Sequence, residues 1–280
     1  MNAIDKLFQQ LRSERRAAFM PFLTAGDPDL AWTRTALPTL AAAGADLMEV
    51  GFPFSDPIAD GPVIQASYTR ALKNGITLDS VFSCIQQVTA APGWSTPLVA
   101  MASYSLIWKK GAEAFLNAAL SAGVSGAVVP DLPVEEADEL ARRCRDRDFK
   151  LILLVTPTTS AARAERIVAA CSGFVYVVSV VGITGERSAV SASVRELLMR
   201  LRTLTDLPLC VGFGVSTPEQ AREISSLADG VIVGSALIRR LEGASQRTGR
   251  EKALGELAAT VTDLRKALDP RFTPAPIQDP

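Results

Sequence analysis

Residues 47–61 read LMEVGFPFSDPIADG, and this stretch has the layout of one strand–loop–helix unit. The run from Leu47 to Phe52 is apolar except for Glu49, which predicts a buried strand. Two prolines in the following segment fix φ and two glycines permit unusual φ, so we predict a loop of defined shape. Pro62, directly after Gly61, is typical of the first position of a helix.

The same unit repeats along the chain, and the number of repeats predicts the fold. Strands this apolar must be covered on both faces, which indicates a parallel sheet. Eight strand–helix units in one chain of domain size predict a (β/α)8 barrel, the TIM barrel. A doubly wound open sheet is the alternative, but no GxGxxG follows an early strand. The eight apolar strands are expected within 17–28, 47–52, 97–103, 126–133, 151–159, 174–185, 207–220 and 228–241.

Two helices fall outside the regular alternation. Residues 1–16 form an amphipathic pattern before the first strand, and two helical stretches, 62–73 and 78–89, separate the second strand from the third. We therefore predict an α/β TIM barrel with an extra N-terminal helix and an extra helix between strands 2 and 3. Residues 1–268 are expected to form one barrel domain, followed by a Pro-rich C-terminal tail, 269–280.

Local signals mark several helix boundaries. Asp27 is predicted to be the N-cap of the second helix, with Pro28 as its first residue. Pro38 falls inside that helix, so we expect a kink or a late start. Thr217 and Gln220 have the spacing of a capping box.

Composition excludes several classes of protein. The chain has 280 residues, 48% of them hydrophobic, and a formal net charge of -1, so nothing electrostatic indicates nucleic acid or an anionic membrane. The N-terminal segment lacks the long apolar stretch of a signal peptide, and no apolar run reaches membrane-spanning length. Four scattered cysteines without CxxC spacing are expected to be reduced. These features predict a cytoplasmic protein.

The sequence contains no histidine, which limits the chemistry available. Ser-His-Asp and Cys-His nucleophile systems and histidine-rich zinc sites are excluded, so acid–base work must come from other groups. Glu49 inside an apolar strand is costly to bury without a partner or a task, and Asp60 follows on the adjoining loop. Alternatively, Glu49 ends the strand in solvent and Asp60 caps the next helix.

Glycines near the carboxyl ends of the last strands predict a phosphate site. Gly185 closes the sixth loop, Gly212 and Gly214 follow strand seven, and Gly234-Ser235 begins a short helix after strand eight. In a (β/α)8 barrel this region often binds phosphate, because glycines let the backbone approach and a helix N-terminus attracts anions. We infer a small phosphorylated substrate.

Several motifs together resemble the tryptophan synthase α subunit family. They occur in order from the first helix to residue 240, and the longest is the most specific. The motifs are GDP (26–28), MEVGFPFSDPIADG (48–61), PDLPVEE (130–136), GITG (182–185), GFG (212–214) and GSA (234–236).

The resemblance implies a lyase that cleaves indole-3-glycerol phosphate to indole and glyceraldehyde 3-phosphate, a step of tryptophan biosynthesis. It implies that Glu49 is the general acid–base and that Asp60 binds the indole N–H. Apart from the resemblance, Thr184 lies beside glycines in the sixth loop and could donate its hydroxyl to Asp60 once that loop closes. The glycine pattern described above assigns phosphate binding to Gly185, Gly214, Gly234 and Ser235. The substrate pocket would contain Phe22, Ile64, Met101, Val128, Leu154, Tyr176 and Phe213.

The resemblance also implies a partner and its cofactor. The expected partner is a tryptophan synthase β subunit in an α2β2 heterotetramer, with pyridoxal phosphate in that subunit only and neither metal nor cofactor in this chain. Ser103, Ser105 and Val180 depart from residues common in the family, at positions near the site rim and the partner-facing loops.

Three other functions are open at this point. A free-standing indole-glycerol-phosphate lyase would share the chemistry and release indole without a β subunit. A non-catalytic barrel could regulate a partner by binding phosphate ligands, although it would not need both Glu49 and Asp60. An isomerase of sugar phosphates is disfavoured, because the expected pocket is apolar and offers few polar groups for sugar hydroxyls.

Overall fold

The strands form one parallel sheet that closes on itself. A computed structural model describes residues 1–179, 191–212, 214–241, 247–269 and 271–272, with only the backbone of 247 and 248. Its strand segments are β1 (Ala18–Thr24), β2 (Met48–Gly51), β3 (Leu98–Met101), β4 (Val124–Val128), β5 (Lys150–Ile152), β6 (Leu154–Val155), β7 (Val175–Val178), β8 (Leu209–Gly212) and β9 (Gly230–Val233).

The pairing order shows that the sheet is a barrel. Each pair of neighbouring strands is parallel, in the order β5-β4-β3-β2-β1-β9-β8-β7-β6. The two ends of this order, β5 and β6, are consecutive in the chain and separated only by Leu153. They are two halves of the predicted fifth strand, so the eight-stranded TIM barrel expected from the sequence is confirmed.

Helices cover the outside of the barrel and close its amino end. They are α1 (Ala3–Glu14), α2 (Leu30–Ala42), α3 (Pro62–Lys73), α4 (Leu78–Thr89), α5 (Tyr104–Lys110), α6 (Ala112–Ser121), α7 (Asp138–Asp146), α8 (Ala161–Ala170), α9 (Ala192–Arg202), α10 (Pro218–Ser225), α11 (Ser235–Arg239) and α12 (Arg247–Leu268), with a 3-10 turn at Val134–Glu136. The extra N-terminal helix and the extra helix between strands 2 and 3 are α1 and α4. The sequence analysis did not predict α5. No helix within the described part of the chain is long and apolar enough to cross a membrane.

The barrel interior is filled from the amino end by α1. Ile4, Phe8 and Leu11 form one buried face of this helix. They pack with inward-pointing strand residues into a single apolar cluster, which also contains Ala18, Met20, Leu47, Val99, Val128, Ile152, Phe174, Tyr176, Cys210 and Ile232. The extra helix therefore closes the amino end of the barrel, which leaves the carboxyl ends of the strands for a site.

The start of α2 differs from the prediction. Asp29, not Asp27, is the N-cap, and its Oδ1 accepts a 2.8 Å hydrogen bond from the backbone N of Trp32. Asp27 is buried and accepts hydrogen bonds from Ser67 and Arg70, so its carboxylate has other partners. The late start considered for Pro38 is also wrong, because α2 begins at Leu30 and includes that proline. The capping box of Thr217 and Gln220 is confirmed.

Candidate active site

A cavity of about 280 Å³ opens at the carboxyl ends of the strands. Charged groups occur at its floor and at its rim, and apolar side chains form much of the wall between them. The lining residues that the structure describes are Phe22, Glu49, Asp60, Gly61, Ile64, Met101, Tyr176, Gly214, Val215, Ser216, Ile232, Gly234, Ser235, Ala236 and Arg239.

Glu49 lies at the floor of this cavity. It is on β2, where it pairs in register with Phe22 of β1 and Val99 of β3. Its side chain is 1% exposed, and Oε1 has no hydrogen-bond partner among the described residues. Burial, and secondarily the nearby Asp60, raises the pKa of Glu49 to about 8. The alternative that Glu49 ends the strand in solvent is therefore wrong.

Asp60 enters the same cavity from the loop between β2 and α3. The N-cap of α3 is Gly61, without a side-chain cap, so Asp60 does not cap this helix. The loop is fixed locally, because the Asp60 backbone N donates to the carbonyl of Pro57 at 3.1 Å. Burial, and secondarily Asp131, raises the pKa of Asp60 to about 7. The two carboxyl groups predicted to share one cleft do so.

Most of the predicted site residues come together here. Phe22, Ile64, Met101 and Tyr176 line the cavity, as do Gly214, Gly234 and Ser235 at its rim. Thr184, Gly185 and Phe213 lie outside the residues that the structure describes.

Val128 and Leu154 do not line the cavity that the described residues form. Val128 is fully buried within the barrel interior, and Leu154 packs against the same cluster. Both side chains point into the barrel, as the prediction required. In register, Val128 pairs with Met101 and Leu154 with Tyr176, two residues that do line the cavity. Strand alternation puts a side chain on the inner face but does not say whether it reaches the cavity.

Glycines on two strands leave room for tyrosine hydroxyl groups. A Cβ built on Gly212 of β8 would lie against the Tyr176 hydroxyl, and one on Gly51 of β2 would lie 2.8 Å from the Tyr68 hydroxyl. Both tyrosines are buried, and burial raises the pKa of each above its ordinary value, so both stay protonated. The sequence analysis missed Tyr68. Its spacing of four residues after Ile64 on α3 was the available signal.

Arg239 is a second residue that the sequence analysis missed. It lies at the end of α11, is exposed to solvent, and lines the cavity beside Ser235 and Ala236. Among the described lining residues it is the only one with a positive charge, whereas Glu49 and Asp60 carry carboxyl groups. An arginine at the end of the short helix, four residues after Ser235, could have suggested it. The described residues contain no group of His, Cys, Asp or Glu side chains that could hold a metal ion.

Fold and site together define a (β/α)8-barrel enzyme with a pair of carboxyl groups at the carboxyl ends of its strands. A family model described as "Tryptophan synthase alpha chain" matches residues 8–269. The chain belongs to the tryptophan synthase alpha chain family.

Individual relatives agree with this assignment. The chain is 49% identical to the tryptophan synthase alpha chain of Rhodopirellula baltica, over 88% of this chain and 89% of that protein. It is 47% identical to that of Rippkaea orientalis, over 96% of this chain and 98% of the relative. The solved structure of tryptophan synthase subunit alpha from Legionella pneumophila superposes with a TM-score of 0.87 at 36% identity, covering 96% of this chain and 99% of that one. Tryptophan synthase from Mycobacterium tuberculosis gives 0.84 at 32% identity, covering 95% and 97%.

Family membership confirms the predicted activity. The enzyme is a lyase of tryptophan biosynthesis that converts indole-3-glycerol phosphate to indole and glyceraldehyde 3-phosphate. Its partner is the tryptophan synthase β subunit. Pyridoxal phosphate belongs to that subunit, and the alpha chain carries no cofactor of its own.

Proposed function

We propose that Glu49 is the general acid–base of the cleavage and that Asp60 is the carboxylate that stabilises its cationic intermediate. The observation that carries this proposal is the Glu49 side chain, which faces the cavity while being 1% exposed and unpaired at Oε1 among the described residues. A pKa raised to about 8 keeps a proton on Glu49 at neutral pH, which a general acid requires.

The reaction needs one proton to move in each direction. Protonated Glu49 gives its proton to C3 of the indole ring, which becomes an indoleninium cation. Ionised Asp60 accepts a hydrogen bond from the ring N–H and offsets the positive charge. Glu49, now a carboxylate, removes the proton from the hydroxyl on the carbon attached to C3. The bond between these carbons breaks, its electron pair returns to the ring as indole, and the hydroxyl carbon becomes the aldehyde.

We assign the wall of the cavity to the indole ring. Phe22, Ile64, Met101 and Tyr176 supply mainly apolar surface near Glu49, which suits a flat aromatic ring. Phe213 and Thr184 are proposed to complete this wall from the residues outside the described part. Val128 and Leu154 pair in register with Met101 and Tyr176 and are proposed to belong to the same wall.

The rim is assigned to the phosphate. Gly214, Gly234 and Ser235 line it, and Gly185 is proposed to join them. The first N–H groups of a helix have no partner within the helix and attract an anion, and Ser235 adds a hydroxyl. This polarity orients the substrate with its ring towards Glu49 and its phosphate outward.

The direct test is indole formation from indole-3-glycerol phosphate by the pure chain, with and without a β subunit. Glu49→Gln is expected to lower kcat by about 10²–10⁴-fold, because it removes the acid–base group without changing its shape. Binding of glycerol 3-phosphate should persist. Glu196→Gln, the same change at an exposed position on α9, is the control. Activity of Glu49→Gln within a few-fold of wild type would refute the assignment.

Three broader assignments accompany this proposal. We propose an α2β2 assembly, a single barrel domain over residues 1–268 followed by the tail 269–280, and a cytoplasmic location. The four cysteines are free thiols in the structure, which suits a reducing compartment. Light scattering of the complex with the β subunit would measure the stoichiometry.

A further inference from the structure

A second, smaller cavity adjoins the site on the side of α3. Its volume is about 10 Å³, which is room for about one water molecule. It shares Asp60 and Met101 with the larger cavity and is bounded by Tyr68 and, from the next loops, Ser103 and Asp131. Asp60 therefore stands between two cavities and has neighbours other than the substrate.

Two of the polar side chains around the small cavity are already paired with each other. Ser103 Oγ donates to Asp131 Oδ2 at 2.5 Å, and the backbone N of Tyr104 donates to Asp131 Oδ1 at 2.7 Å. Among the described residues, the Asp60 carboxylate and the Tyr68 hydroxyl have no such partner. An unpaired donor and an unpaired acceptor thus face the same small space.

In the proposed chemistry, a hydrogen bond between the Tyr68 hydroxyl and the Asp60 carboxylate would affect the reaction. Asp60 must be ionised to stabilise an indoleninium cation, yet burial and the charge of Asp131 raise its pKa to about 7. A hydrogen bond donated to a carboxylate favours its ionised form. The groups that face Asp60 are Glu49 from β2, Asp131 from the loop after β4, Tyr68 from α3, Tyr176 from β7 and Arg239 from α11.

Tyr68 is the best placed of these groups to donate. Asp131 repels the carboxylate, Glu49 has its own role, and Arg239 is exposed to solvent at the rim. The Tyr176 hydroxyl lies against Gly212, on the β8 side of the barrel, whereas the Tyr68 hydroxyl lies against Gly51 on β2. Tyr68 is only 3% exposed, and Asp60 and Glu49 join burial in raising the pKa of its phenol, so the hydroxyl keeps its proton.

We propose that Tyr68 is a positioning residue for this reaction, whose hydroxyl donates a hydrogen bond to Asp60 and keeps that carboxylate ionised and turned towards the indole nitrogen. The proposal rests on the role of Asp60 proposed above. Both residues line the small cavity, so the hydrogen bond would form across the space that they share. Tyr68 does not exchange a proton with the substrate.

The test is the pH dependence of kcat in Tyr68→Phe, which removes the hydroxyl and keeps the ring. Without the donor, Asp60 becomes harder to ionise, so the acidic limb of the kcat profile should move up by about one pH unit. On that limb kcat should fall by about tenfold, and the loss should shrink as pH rises. The matched control is Tyr104→Phe, on α5 and outside both cavities, which should leave the profile unchanged.

Other outcomes would overturn the inference. A loss of the same size at every pH would indicate a purely structural role. A shift of the alkaline limb alone would place the donor at Glu49, and an unchanged profile would remove Tyr68 from the reaction. Asp60→Asn, measured in parallel, tests the role of Asp60 separately from the role of Tyr68. If Asp60→Asn keeps its activity, the role of Asp60 fails; if it loses activity while Tyr68→Phe behaves as wild type, only Tyr68 fails.

Discussion

Glu49 occupies a position that favours reactivity over stability. Its side chain is buried beside a second carboxyl group, and the structure gives Oε1 no partner among the described residues. An unpaired buried carboxyl group costs free energy that an apolar residue would avoid, and a glutamine removes only the cost of burying its charged form. The same burial raises its pKa and so keeps on Glu49 the proton that the proposed mechanism needs. In that mechanism the cost and the activity have one physical cause.

The stability of the protein should therefore depend on pH through Glu49. Its pKa is 4.5 in an unfolded chain and about 8 in the folded one, so folding favours the protonated form. Stability is greatest below pH 4.5 for this group and falls as pH rises towards 8, because the unfolded state then releases the proton more readily. Glu49→Gln should be close to wild type at pH 5 and more stable by about 3–5 kcal/mol at pH 8. Urea unfolding at the two pH values measures this difference, and an equal gap at both would contradict the raised pKa.

Arg239 gives a second prediction at the level of one residue. The substrate carries a phosphate into a cavity that already contains two carboxyl groups, and Arg239 is the positive charge among its described lining residues. Arg239→Ala should weaken glycerol 3-phosphate binding by about fivefold at low salt, because an exposed pair contributes about 1 kcal/mol. The effect should shrink as salt screens the charge.

Isothermal titration with glycerol 3-phosphate would measure the loss of affinity in Arg239→Ala, with Arg240→Ala as the control. Arg240 is the adjacent exposed arginine and does not line the cavity. Equal losses in the two variants would indicate net charge alone and no specific contact.

The pair of carboxyl groups in the cavity could be predicted from the sequence, and its neighbours could not. A charged residue inside an apolar strand is conspicuous, and a resemblance to a family adds the role. Tyr68 could not be singled out, because a tyrosine on a helix face is usually an ordinary core residue. The position of its hydroxyl beside the site depends on Gly51, which has no side chain and leaves the space. Val128 and Leu154 face into the barrel as expected, in register with Met101 and Tyr176, which line the cavity. Whether a side chain at that level also reaches the cavity depends on the residues around it, which the strand pattern does not contain.

At the level of elements, the alternation of apolar strands and helices determined the barrel. The predictions that were wrong concern single residues or short segments, and in each case a tertiary contact is the reason. Asp27 has the sequence of an N-cap but binds Ser67 and Arg70 on α3. The fifth strand reads as one run, yet it is interrupted at Leu153 where the sheet closes. Propensity and periodicity describe one segment of the chain. The partners of Asp27 and the interruption at Leu153 depend instead on the other segments that pack against it.

The short helix α11 gives a prediction that separates shape from charge. Gly234 has no left-handed φ, and a Cβ there would meet Phe22 at 3.5 Å, which is an ordinary contact. Gly234→Ala should therefore keep both fold and ligand binding. Gly234→Asp adds a carboxylate where we place the phosphate and should weaken glycerol 3-phosphate binding by at least tenfold through repulsion.

Both variants should retain a melting temperature close to wild type. Titration with glycerol 3-phosphate and a thermal scan on each variant give the two readouts. Unchanged affinity in Gly234→Asp would show that the phosphate binds elsewhere. A comparable loss in Gly234→Ala would mean that backbone approach, not charge, sets affinity.

At the level of the whole molecule, the active site and the rim share one end of the barrel. The loop that carries Asp60 lies at this end, together with exposed apolar side chains at Ile58 and Trp108, which are 84% and 74% exposed. A β subunit that contacts this rim would contact the catalytic loop as well. Thr184 is proposed to contribute from the loop after β7, outside the described residues.

Partner binding should therefore change activity. We expect the isolated chain to be slow and to speed up when the β subunit binds, since the partner would favour the closed loop arrangement. Linkage requires that the partner then binds more tightly in the presence of substrate or glycerol 3-phosphate. Thr184→Val should reduce the stimulation more than it weakens substrate binding. A chain that is fully active alone and neither binds nor responds to a β subunit would contradict this expectation.

The helix α1 at the amino end of the barrel has a consequence for the order of folding. Its contacts are with distant parts of the chain: Asn2 donates to the carbonyls of Ser125 and Asp148, and Arg12 donates to that of Asp206. The surface that α1 covers exists only when strands from both halves of the chain have assembled. Although α1 is translated before these partners, it has to wait for residues more than a hundred positions later. Such long sequence separations slow folding, and until they close the apolar face of α1 stays exposed in the nascent chain.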